Sequence, residues 1–188
     1  MIIERLFSAN FEFKVEQELT RSDAKRLFYP GAVETGGQDG LTVRVDPNNG
    51  DPWTGVFAPG KLGANCITGI FSAPNPLEIC VVSSGQAYLI DVISPRRYSV
   101  LPVIPVTAVR SSEKHKILIF SDHTQLLAID ASGVAWQTER LSWDSFRITS
   151  IDDDVIRGVF WDIQSESEQG FEVDLATGAH VGGVKLPV

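Results

Sequence analysis

A chain of 188 residues is expected to hold one domain or one compact array of repeats, with enough length to bury a core. Hydrophobic residues make up 43% and charged residues 21%, which argues against a largely disordered chain, a collagen or a disulfide-dense mini-protein. Acidic residues number 24 against 16 basic ones, for a net charge of −8, and such a balance argues against duplex nucleic acid or an anionic membrane as partner.

The N-terminal stretch MIIERLFSANFEFKVEQE has no basic region followed by an apolar one, so no secretory signal is read there. Apolar runs reach only four to six residues, far short of the roughly 20 needed to cross a bilayer. A soluble, cytoplasmic protein is expected. Thr20–Tyr29 (TRSDAKRLFY) is the one helix candidate, with Thr20 or Ser22 as N-cap and Pro30-Gly31 as its stop. Beyond it the period is mostly two. Gln86–Ile90, Lys116–Phe120 and Gln125–Ile129 are short runs of Ile, Leu and aromatics bounded by Ser, Asp, Gly and Pro, which predicts strands. Cys66 and Cys80 sit in apolar segments and read as buried thiols, with a disulfide left open.

An internal repeat organises these strands. Four segments end a strand in a hydrophobic residue followed by Asp and then a turn: Leu41–Gly50, Ala87–Arg96, Leu126–Gly133 and Phe171–Gly178. Their aspartates, Asp46, Asp91, Asp130 and Asp174, are spaced by 45, 39 and 44 residues. A period of about 40–50 residues marks propeller blades. The recurring Asp has a mechanical reason, because its carboxylate can accept from backbone amides just ahead of it and close an Asx-type turn. Gly50, Gly133 and Gly178 would supply positive φ in such hairpins, whereas the second copy has Pro95 and needs a different turn.

On these residues the chain resembles β-propeller blades of the pyrroloquinoline-quinone or WD type, in the loose form found in uncharacterised bacterial proteins. The likeness covers about residues 64–187. Trp143-Asp144 and Trp161-Asp162 are WD dipeptides, but neither closes the third strand of a blade, so the resemblance implies an architecture and no cofactor. The expected fold is therefore all-β: a propeller-like array of about four blade-like units, closed or open, with one short N-terminal helix. A β-sandwich or barrel is the alternative. The units are an irregular 1–63, then 64–102, 103–142 and 145–188 within a single domain.

Motifs for chemistry are few. Gly31–Gln38 has the glycine spacing of a phosphate loop, but Gln38 replaces the required Lys. Asp46–Asp51 (DPNNGD) begins like a calcium loop and lacks the distal Glu, so turn chemistry is expected. His115 and His123 flank one predicted strand, too far apart at about 3.3 Å per residue to share a metal. With His180 they read as surface histidines. No nucleophile elbow occurs around Ser83-Ser84-Gly85.

The function reading is a non-enzymatic protein-interaction module that takes a basic partner. Asp152, Asp153 and Asp154 supply a dense negative loop, and Trp53 and Trp143, near loop ends, are aromatic anchors for a contact. Trp136 and Trp161 are assigned to blade core. A small-molecule or metal-binding protein, including an enzyme with its site at converging strand ends, is the alternative. The apolar termini, Ile2-Ile3 with Leu6-Phe7 and Leu186-Pro187-Val188, are expected to meet each other, which favours a monomer narrowly over a homodimer.

Overall fold

The computed structural model describes residues 1–16, 25–30, 32, 40–60 and 65–184. These residues form seventeen strands and no helix. Among the described residues no helix is long and apolar enough to cross a membrane. The chain divides into two compact units, Met1–Val106 and Thr107–Val188.

Unit 1 contains two sheets. Its strands are β1 (Ile2–Glu4), β2 (Phe11–Glu16), β3 (Lys25–Phe28), β4 (Leu41–Pro47), β5 (Trp53–Phe57), β6 (Gly69–Ser72), β7 (Glu78–Ser83), β8 (Gln86–Asp91) and β9 (Tyr98–Val100). The first sheet runs β2-β4-β5-β3 and the second β1-β6-β7-β8-β9. Alternation drives their packing. Val43, Val45 and Trp53 of the first sheet and Ile70, Ile79, Val81, Tyr88 and Ile90 of the second share one buried cluster. Full burial of each such side chain is worth about 1.5–3 kcal/mol. Tyr29 stacks on Phe57 at 4.4 Å within it.

Unit 2 is more regular. Its strands are β10 (Ala108–Ser112), β11 (Ile117–Ser121), β12 (Leu126–Asp130), β13 (Gly133–Gln137), β14 (Phe146–Ile151), β15 (Val155–Asp162), β16 (Ser167–Asp174) and β17 (His180–Gly182). They form two antiparallel meanders, β10-β11-β12-β13 and β14-β15-β16-β17. Ile117, Ile119, Leu126, Ala128 and Trp136 of one meander pack with Ile156, Phe160, Phe171 and Val173 of the other. Four sheets of four or five strands, three of them built on a consecutive four-strand meander, make the fold all-β and propeller-like.

The Asp repeat marks equivalent places. β8, β12 and β16 are each the third strand of a meander, and Asp91, Asp130 and Asp174 end them. Each carboxylate caps its turn: Asp91 accepts from the amides of Ile93 and Ser94, Asp130 from Ser132, and Asp174 from Ala176 and Thr177. Gly133 and Gly178 have φ of 121° and 71°, as the hairpins require, while Gly50 is not left-handed. Asp46 differs. Its carboxylate is taken by the guanidinium of Arg44, two residues earlier on the same strand face.

Two expectations about the fold are corrected. Lys25–Phe28, assigned to a helix, forms strand β3, held in parallel register along β5; residues 20–24 lie outside the described residues. Chain-local periodicity carries no trace of that remote hydrogen-bonding partner. Trp161 was assigned to the core but is 57% exposed, because Ile156 and Phe160 already claim the inward positions of β15. The N-terminal strand β1 pairs in parallel with β6, as Ile2↔Gly69 and Ile3↔Ile70. Leu186–Val188, its expected partner, lie outside the described residues, as does the Gly31–Gln38 loop apart from Ala32.

Candidate functional site

Unit 2 carries thirteen acidic and seven basic residues, so most of the net negative charge of the chain resides there. Asp152, Asp153 and Asp154 form the turn between β14 and β15, closed by the Asp152 amide donating to Val155 O at 2.9 Å. Two of the three carboxylates are engaged within the unit. Asp152 pairs with Arg157, which also donates to Glu172 at 2.9 Å. Both oxygens of Asp154 accept from Lys114 Nζ at 2.8 Å, and Oδ1 lies 3.0 Å from His115 Nε2. The Lys114 and His115 hydrogen bonds hold the Asp154 carboxyl below the ordinary range. His115 Nε2 is also 2.9 Å from the carbonyl of Asp153. Of the three, Asp153 is exposed and has no ion pair to a described residue. The loop is thus a cross-link between two hairpins more than an open negative patch.

The tryptophans separate clearly. Trp53 is not an exposed anchor: it is 2% exposed, opens β5 and donates Nε1–H to Val92 O at 2.9 Å. Position beside Pro52 looked like a loop end, but Trp53 is the residue that meets Lys25 and Val45 in register. Trp143 is 38% exposed, and the Arg140 guanidinium lies over its ring at 5.2 Å.

Trp143 borders a cleft of unit 2 of about 400 Å³. Its polar wall is Asp162, Gln164, Ser165 and Gln169, and Phe160 forms its apolar end. The turn between β15 and β16 positions these groups. Asp162 Oδ2 accepts from the Ser165 amide and hydroxyl at 3.0 and 2.6 Å, which keeps the carboxyl below its ordinary range. Gln169 donates its amide to Ser165 and Ser167 at 3.2 and 3.0 Å, so its carbonyl oxygen remains an acceptor toward the cleft. Among the described residues no Lys, Arg or His lines this cleft. Its character is an aromatic edge beside an ionised carboxylate and spare acceptors, which suits a cationic donor. Sequence reasoning missed these residues. Asp162 was noted only as half of a WD dipeptide, although Asp-x-x-Ser ahead of a strand is an Asx-turn signal.

Unit 1 has a second cleft of about 600 Å³, bordered by Lys25, Arg44, Asp51, Ile93 and Pro95 over Trp53. Arg44 is committed there to Asp46. His180 Nδ1 is 3.0 Å from Gly182 O, and His123 sits at the β11–β12 tip. Among the described residues no group of three or more His, Cys, Asp or Glu converges in a metal-binding arrangement. Cys66 and Cys80 are not joined in a disulfide, and burial pushes the Cys80 thiol far up.

No family model matches the chain, and no curated protein matches it. Among solved structures it is similar to the dihydro-heme d1 dehydrogenase NirN in complex with DHE, at 22% identity and a TM-score of 0.45, over 80% of this chain and 33% of that one. It is also similar to the N-terminal domain of Nup159, at 13% identity and a TM-score of 0.39, over 99% of this chain and 55% of that one. A third similar structure is a Saccharomyces cerevisiae Dbp5 variant bound to Nup159, a Gle1 variant, IP6 and ADP, at 12% identity and a TM-score of 0.40, over 99% of this chain and 53% of that one. The chain spans between a third and about half of the length of these structures. NirN and the Nup159 domain are propeller-type folds.

Proposed function

We propose that this chain is a non-enzymatic interaction module that binds a basic protein through unit 2. The observation that carries the reading is the cleft between Trp143 and Asp162, which offers the edge of an indole whose face Arg140 covers, an ionised carboxylate and amide acceptors, with no cation among its described lining residues. A lysine or arginine side chain of a partner would place its stem against Trp143 and its charged head at Asp162 and Gln169. Exposed Ile163 at the adjoining turn adds apolar contact at the rim. The acid-rich composition of the unit would speed the encounter with a positive partner.

Titration of a lysine-rich peptide, followed by tryptophan fluorescence and calorimetry, tests this. Trp143→Ala and Asp162→Asn are each expected to weaken binding about tenfold, the size of a modest hot-spot loss. Equal affinity for a neutral peptide of the same length, or affinity unchanged in both variants, would overturn the reading.

A further inference from the structure

The opposite face of the last sheet holds a second feature, which shares with this cleft the two glycines Gly170 and Gly182. Alternation along β15 sends Ile156 and Phe160 into the core of unit 2 and leaves Arg157, Val159 and Trp161 on the other side. The register across the sheet sets Glu168 opposite Trp161, Gly170 opposite Val159 and Glu172 opposite Arg157, with Val181 of β17 beyond Glu172. Gly170 occupies the middle of that face. It is exposed, its φ is not left-handed, and a Cβ built on it would meet nothing nearer than Gly158 O at 3.9 Å. Neither backbone conformation nor packing calls for glycine here, and glycine weakens a strand interior. What the missing side chain leaves is a groove of about 410 Å³ beside Arg157, Glu172 and Val181. One register step away stands Trp161, 57% exposed, and Val181 is 78% exposed.

We propose that this face is a self-association surface whose occupant is a second copy of the chain, with Trp161 of each copy seated in the Gly170 groove of the other. A two-fold contact uses one patch on both copies, so the patch must carry both a projection and its receptacle. Trp161 and the Gly170 groove supply the two on a single sheet face. Charge selects this face for a like partner. The chain bears a net charge of −8, so two copies repel across most of their surfaces. Here Arg147 pairs with Glu168 at 3.5 Å, and Arg157 pairs with both Asp152 and Glu172, so two cations offset most of the negative charge of the face. Tryptophan in a desolvated groove is also the side chain that most often dominates an interface. The sequence alone favoured a monomer; the placement of Trp161 and Gly170 favours the dimer.

Light scattering and sedimentation velocity over a range of concentrations test the proposal. The intact chain is expected to rise with concentration from 20.6 kDa toward twice that mass. Trp161→Ala should raise the concentration at half-association at least tenfold. Gly170→Val separates association from folding. It fills the groove with a good strand former where space is open, so it should abolish the dimer while keeping or raising the melting temperature. A wild-type chain that stays at 20.6 kDa up to millimolar concentration overturns the proposal, as does a dimer indifferent to both substitutions.

Discussion

The indole of Trp136 donates to the carbonyl of Leu175 at 2.9 Å, across 39 residues of sequence, and the indole of Trp53 donates to Val92 at the same distance and the same separation. Each tryptophan lies in the strand that follows one with an Asp of the repeat at or next to its end, and each acceptor is the residue directly after the Asp of the next sheet. Asp130 and Asp174 frame one link, Asp46 and Asp91 the other. The repeat therefore fixes contact between neighbouring sheets as well as turns within them. Gly178 is part of the arrangement, because a Cβ there would meet the Trp136 ring at 2.8 Å.

Trp136→Phe should expose the worth of that link. Phenylalanine keeps most of the apolar contact but removes the donor, leaving the Leu175 carbonyl without its side-chain partner. The expected loss is about 1–3 kcal/mol, the cost of an orphaned buried polar group. Urea unfolding of unit 2 reads it directly. A variant as stable as wild type would mean that the carbonyl finds water in place of the indole.

The Asp154 cross-link should make stability depend on pH in one direction. Lys114 and His115 hold the carboxyl of Asp154 below its ordinary value, and hydrogen bonds from turn residues do the same for Asp130, Asp162 and Asp174. A depressed folded-state value means that the stabilisation is fully present above the unfolded value, about pH 4, and is lost as pH falls through the lowered one. Asp154→Asn should lower the melting temperature at neutral pH, and the difference from wild type should shrink as pH falls well below about 4. A difference that persists undiminished in acid would show that Asp154 acts through packing and not through charge.

These relationships explain what could be read from the chain and what could not. The Asx turns at Asp91, Asp130 and Asp174 were legible because their hydrogen bonds reach only two or three residues ahead. Asp46 has the same surroundings in sequence, yet Arg44 two positions back captures it, a competition that composition alone does not rank. Trp161 could have been placed correctly: once Phe160 is taken as core, period two turns its neighbour outward. Strand β3 could not, since its pairing with β5 spans a gap of more than twenty residues. The cleft at Trp143 and Asp162 is likewise assembled from the segment before β14, the β15–β16 turn and the end of β17.

Glu78 makes an opposite prediction about pH. It opens β7 directly across from Asp91 on β8, a like-charged pair in adjacent strands. Asp91 cannot withdraw, because its Oδ1 already accepts from the Ile93 and Ser94 amides. Glu78 Oε2 is buried and lacks a hydrogen-bond partner. Burial first, and the charge of Asp91 second, push the Glu78 carboxyl above its ordinary range. A raised folded-state value means that ionised Glu78 opposes folding: the favourable state holds below the unfolded value and is lost as pH rises through the folded one. Glu78→Gln should therefore stabilise the protein at neutral pH, by no more than about 1 kcal/mol given how much of the residue solvent still screens. The gain should vanish below about pH 4, where both chains are neutral at this position. Denaturant midpoints measured at neutral and acid pH decide it. A glutamine variant less stable than wild type at neutral pH would mean that the Glu78 charge is compensated in the folded protein, and the like-charge account would fall.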